Sequence, residues 1–87
     1  MNSQASNEPL VIAKLAQLLQ LAPDAIGPGD SVFALGLDSS GALSLMGHLE
    51  DTLEISIDPA MMWEYPHISD LSAQLAQLYQ GQRPESL

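Results

Sequence analysis

The sequence has no cysteine, only two basic residues and no long apolar run. Without cysteine there is no disulfide framework, no thiolate metal site and no thiol nucleophile. That absence suits the cytoplasm. Lys14 and Arg83 face eleven acidic residues, for a net charge of −9. Neutralising phosphates takes clustered Lys and Arg, so nucleic-acid binding is excluded. Docking on an anionic membrane surface is disfavoured for the same reason, and any macromolecular partner is expected to present a basic face. No segment approaches the ~18 apolar residues of a membrane span. Met1 to Glu8 lacks the basic and apolar stretches of a signal peptide. What is present is 87 residues, 46% hydrophobic and 15% charged, the composition of one small globular domain. A domain of this size buries roughly 60% of its unfolded surface, enough for one core and a surface site but not for a deep cleft. A monomer is expected.

Hydrophobic spacing places four helices, so the fold class is all-α, a four-helix bundle with a long first loop and a short third helix. In the first helix Val11, Leu15, Leu18 and Ala22, with Ile12 and Leu19 alongside, recur at steps of three and four. Asn7 is its expected N-cap, Glu8 and Pro9 suit its first turn, and Pro23 closes it. Residues 23–37 carry Gly27-Pro28-Gly29 and Gly36 and read as a loop, pinned to the helices by Ile26, Val32, Phe33 and Leu35. The second helix starts at Asp38 or Ser39 and buries Ala42, Leu45, Met46, Leu49 and Leu53. Glu54 to Ile57 alternates like a strand but has no partner segment, and reads as an extended linker. Asp58-Pro59 opens the third helix, which runs to about Tyr65 and stops at Pro66. Ile68, Leu71, Leu75 and Leu78 mark the fourth, with Gln74, Gln77 and Gln80 facing water. Residues 1–7 are expected to form a flexible arm, 8–80 the domain and 81–87 a flexible tail.

Catalytic constellations are missing. His48 falls on the polar face of the second helix and His67 at the start of the fourth. Neither has a carboxylate at metal-pair spacing, and both read as surface histidines. Gly27-Pro28-Gly29 lacks the further Gly and the Lys of a phosphate loop, so it is a turn. Met61-Met62-Trp63 reads as core packing of a short helix. The sequence predicts a protein that is not itself an enzyme.

The informative run is Phe33-Ala34-Leu35-Gly36-Leu37-Asp38-Ser39-Ser40. An apolar anchor precedes a glycine turn, and an acid and a serine stand where a helix begins. By itself, Asp38 or Ser39 is an ordinary N-cap. The larger pattern resembles the acyl carrier protein family. Leu35-Gly36-Leu37-Asp38-Ser39 is similar to its phosphopantetheine attachment motif, and Phe33 stands at the loop-anchoring aromatic. Trp63-Glu64-Tyr65-Pro66-His67-Ile68 resembles the Glu-Tyr-Pro-Thr passage common before the last helix of polyketide synthase carriers. The resemblance covers about Leu10 to Tyr79.

It implies that Ser39 is esterified by the phosphate of 4′-phosphopantetheine, taken from coenzyme A by a phosphopantetheinyl transferase. The arm's thiol then carries acyl groups as thioesters to a ketosynthase, an acyltransferase or other synthase enzymes with basic docking faces. A phosphodiester there would meet the free N–H groups and positive dipole end of a helix. By position, the resemblance makes Asp38, Ser40, Leu43, Glu50 and Asp51 partner contacts. Leu45, Ile57 and Met62 are the expected lining of an acyl-chain cavity between the second and third helices. Ser40 stands where most carriers have an apolar residue, Ser44 where Glu is common, and His67 where Thr usually caps the last helix. Gly41 is expected to weaken the second helix by ~1 kcal/mol relative to Ala. A polyketide carrier is the reading. The rivals are a fatty-acid carrier, a peptidyl carrier, and an unmodified carrier-like docking module.

Overall fold

The stripe of Val11, Leu15 and Ala16 draws the first helix, α1 (Glu8–Leu19), onto the rest of the chain. The computed structural model describes residues 7–82. After α1 come a single 3₁₀ turn at Pro23–Ala25, then α2 (Ser39–Leu53), α3 (Ala60–Glu64) and α4 (Ile68–Gln82). This is the all-α four-helix arrangement that the spacing predicts, with the long loop and the short third helix where expected. α1 packs on both α2 and α4. The core gathers Ala42, Leu45, Met46 and Leu49 from α2 with Ile68, Leu71 and Leu75 from α4. Met61 and Met62 join it from α3, and Ile26, Val32 and Leu37 from the loop.

Several ends differ from expectation. α1 stops at Leu19, before Ala22, because Gln20 turns left-handed at φ 58° and ψ 45°. The Leu21 N–H then reaches back to the Ala16 carbonyl at 2.9 Å and the Gln20 N–H to that of Gln17 at 3.4 Å. This paired closure satisfies carbonyls that would otherwise end unpaired. Asn7 sits at the N-cap with ψ 4° and makes no side-chain cap bond. That backbone angle is not the extended one from which a cap side chain reaches inward. α3 starts two residues after Asp58, whose Oδ1 accepts the Ala60 N–H at 2.9 Å. α4 runs through Gly81 and Gln82, two residues into the expected tail, where the Gln82 side chain has a tertiary partner in Ser56. The rest of the expected arm and tail, residues 1–6 and 83–87, lies outside the described residues.

The loop is stitched to the start of α4. Val32 N–H donates to the Pro66 carbonyl at 2.9 Å, and Ser31 and His67 form an antiparallel bridge. Ile68 and Ser69 donate the first N–H groups of α4 to the carbonyls of Asp30 (3.0 Å) and Pro28 (2.8 Å). Helix starts leave such donors without intrahelical partners. Here loop backbone takes the place of a capping side chain. The loop also closes on itself, with Asp30 Oδ2 accepting the Gly27 N–H at 2.8 Å. Three consecutive positions of a helix point in directions about 100° apart. So Met61 and Met62 enter the core while Trp63, expected there too, is 49% exposed. Gln74 is half-buried and not fully in water; Gln77 and Gln80 are exposed. Ser72 is the buried polar side chain of the core, and its Oγ has no hydrogen-bond partner among the described residues.

Candidate functional site

Gly36 has φ +115°, a backbone state that glycine adopts without Cβ strain. It turns the loop so that Leu37 enters the core while Asp38 and the residues after it emerge at the surface. Asp38 is extended (φ −96°, ψ −179°), and its Oδ1 accepts the Gly41 N–H at 2.7 Å. Its carbonyl accepts the Ala42 N–H at 2.8 Å. Asp38 is therefore the N-cap, and Ser39 the first residue of α2. Ser39 and Ser40 are both exposed. Their backbone N–H groups have no partner among the described residues. An exposed hydroxyl thus sits on the first turn of a 15-residue helix, beside free donors and the positive end of the dipole.

Leu43, one helical turn beyond Ser39, is 55% exposed. Gly47 and Asp51 continue that exposed row at steps of four. Glu50 belongs elsewhere. It is half-buried, and its Oε2 accepts the Ile57 N–H at 2.7 Å while its carbonyl accepts the Ile55 N–H at 3.3 Å. Of the paired acids at the end of α2, Asp51 faces outward and Glu50 holds the linker. Leu45 of α2, Ile57 of the linker and Met62 of α3 are all buried within the one core cluster.

Phe33 is half-buried, and its ring lies 5.5 Å from that of Trp63, tilted by 32°. The pair ties α3 to the loop that leads to Ser39, the anchoring expected of Phe33 but with an exposed partner. His67 is exposed; His48 is half-buried, with Nε2 3.4 Å from Thr52 Oγ1. Among the described residues no three His, Asp or Glu side chains group as a metal site would need. No helix there is long and apolar enough to cross a membrane.

Sequence reasoning missed the roles of Gly41, Glu50, Gln82 and Trp63. Gly41 has a steric role, since a Cβ there would come within 2.6 Å of Leu37 Cδ1. Glu50 and Gln82 bind linker backbone, and no periodicity reports such bonds. For Trp63 a signal did exist, because a single turn of helix cannot bury three consecutive side chains.

The chain matches the phosphopantetheine attachment site family over residues 9–75. It is 36% identical over 74 residues to nonribosomal peptide synthetase 2 of Gibberella zeae, spanning 85% of this chain and 2% of that protein. It is 39% identical over 54 residues to a phenolphthiocerol/phthiocerol polyketide synthase of Mycobacterium tuberculosis, spanning 62% of this chain and 3% of that one. Among solved structures it resembles a free-standing peptidyl carrier protein from Acinetobacter baumannii. That likeness has a TM-score of 0.76 and 31% identity, covering 80% of this chain and 88% of the other. It also shares its fold with the HMG-ACPI domain from the CurA module of Lyngbya majuscula, with a TM-score of 0.80 and 22% identity. There the likeness covers 94% of this chain and 89% of the other.

Proposed function

Since the chain belongs to the phosphopantetheine attachment site family, whose prosthetic group is a covalent 4′-phosphopantetheine, we propose that Ser39 bears that group and that the domain carries acyl intermediates for a synthase. One observation carries the assignment. Ser39 is an exposed hydroxyl at the first position of α2, directly after the Asp38 cap and beside the unpartnered N–H groups of the first turn. Those donors and the dipole favour a phosphodiester anion at this position. The arm supplies a thiol on which acyl groups ride as thioesters. The chain itself has no cysteine, so it offers no thiol of its own, and the bond-making belongs to partner enzymes.

The docking face in this reading is the exposed surface of α2 and its cap: Asp38, Ser40, Leu43 and Asp51. It would meet basic surfaces on a phosphopantetheinyl transferase and on a ketosynthase or acyltransferase. Glu50 acts on docking indirectly, by fixing the linker. Leu45, Ile57 and Met62 are the inner residues that an acyl chain would displace. Polyketide cargo is the reading supported by Gly36-Leu37-Asp38-Ser39 and by Trp63-Glu64-Tyr65-Pro66. Peptidyl cargo is favoured by the synthetase relative that spans more of the chain, and by the peptidyl carrier fold.

Intact mass after incubation with coenzyme A and a broad-specificity phosphopantetheinyl transferase tests the site. Wild type is expected to gain one phosphopantetheine and Ser39→Ala none. Gain by both moves the site to Ser40 or another serine, and gain by neither with several transferases leaves a docking module. Cargo is then read by offering the loaded protein to a malonyl-transferring acyltransferase and, separately, to an amino-acid-adenylating enzyme with ATP. A polyketide carrier accepts the malonyl group, and aminoacylation alone would establish the peptidyl reading.

A further inference from the structure

The linker between α2 and α3 is held by side chains from two helices. Glu50 of α2 accepts the Ile57 N–H. From the last turn of α4, Gln82 Oε1 accepts the Ser56 N–H at 2.7 Å, and Gln82 Nε2 donates to the Ser56 carbonyl at 2.9 Å. A primary amide has both a donor and an acceptor. Here it closes both backbone groups of one residue, as a residue on a neighbouring antiparallel strand does. Ile55 and Ile57 are buried on either side while Ser56 is exposed. The linker is thus fixed inward by two apolar side chains and outward by Gln82.

α3 follows this linker and has five residues. A helix that short has no stability of its own, so its place is set by what flanks it. On one side Trp63 rests on Phe33. On the other is the clasped linker. We propose that Gln82 is a positioning residue for α3: by closing the Ser56 peptide it sets where α3 begins, and through Trp63 and Phe33 it steadies the loop that leads to Ser39. The last turn of α4 is thereby coupled to the attachment loop through contiguous contacts. This holds whichever cargo the domain carries, and it adds a role to a residue beyond the exposed row of α2.

The sequence has a single tryptophan, and it lies on α3, so its fluorescence reports that helix and its contact with Phe33. In the full chain carrying Gln82→Ala, the Ser56 amide is expected to exchange about tenfold faster, the equivalent of losing two modest hydrogen bonds. The Met62 and Tyr65 amides should follow, acrylamide should quench Trp63 more readily, and amides of Leu15 and Leu75 should be unchanged. Gln82→Glu keeps an acceptor for the Ser56 N–H but loses the donor while ionised. At neutral pH its Ser56 exchange and Trp63 quenching should therefore fall between those of wild type and Gln82→Ala. Three results would overturn the proposal. They are unchanged Ser56 exchange in Gln82→Ala, faster Ser56 exchange with α3 and Trp63 unaffected, and uniform acceleration of every amide. The last would make Gln82 a general stabiliser.

Discussion

At Gly41 a Cβ would lie 2.6 Å from Leu37 Cδ1 and 3.2 Å from Asp38 Oδ1. Neither neighbour is free to withdraw, because Leu37 is buried and Asp38 holds the Gly41 N–H itself. Gly47, in the same helix, has nothing within 4 Å of where its Cβ would be. Replacing helical Gly by Ala gains ~1 kcal/mol of propensity, while overfilling a packed site costs about 1–3 kcal/mol. One substitution should therefore have opposite signs at two positions of α2. In urea unfolding, Gly47→Ala is expected to raise stability by about 1 kcal/mol, and Gly41→Ala to lower it by about 1 kcal/mol. Equal gains at both would show that Leu37 repacks freely. The sequence shows Gly41 only as a weak point in a helix. Its use, room for Leu37 and Asp38 behind Ser39, depends on a loop conformation that composition does not reveal.

At the scale of elements, α1 and α2 end alike, each on a left-handed residue with a side chain: Gln20 and Glu54, both at φ 58°. The left-handed state costs a non-glycine residue roughly 1–2 kcal/mol. Gln20 is exposed, and its part in the cap is played by its backbone. Gln20→Gly should stabilise the domain by about 1 kcal/mol, seen as a higher thermal midpoint with α1 intact. A lower midpoint would mean that the glycine's freedom in the unfolded chain outweighs the relief. These ends also mark how far the sequence can be read. The stripes of Val11 and Leu15, of Ala42, Leu45 and Leu49, and of Leu71 and Leu75 locate every long helix, since burial imposes the helical period on them. Asp38 is legible as a start because a short polar side chain bonds nearby N–H groups, and Asp58 marks the start of α3 only to within a residue. The end of α1 and the extension of α4 are not legible, because they come with a backbone turn at Gln20 and a tertiary bond at Ser56. The turn before Ser39 reads in the sequence only as a helix start, and it is the resemblance of Leu35-Gly36-Leu37-Asp38-Ser39 to an attachment motif that singles the serine out. The separation of Glu50 from Asp51 could not be read there, because neighbouring acids look equivalent until the linker claims one of them.

For the whole molecule, a net charge of −9 on 87 residues acts beyond single contacts. Such a surplus steers a basic partner during approach and strains the fold by self-repulsion. Salt shortens the reach of both, from a Debye length of about 30 Å at 0.01 M to about 3 Å at 1 M. The association rate with a phosphopantetheinyl transferase is therefore expected to fall at least about tenfold between those concentrations, while the thermal midpoint of the domain alone rises. A salt-independent rate, measured by stopped flow, would mean that contact chemistry and not long-range attraction selects the partner. The stitching of loop to α4 has its own consequence for how the chain folds. The first donors of α4 are satisfied by carbonyls of Pro28 and Asp30, far away in sequence, so the start of this helix is written outside it. Making those two bonds requires closing a long loop, and loop closure carries an entropic cost before any contact rewards it. The start of α4 is thus tied to the loop, and opening the loop is expected to fray the first turn of α4, read as faster exchange of the Ile68 and Ser69 amides.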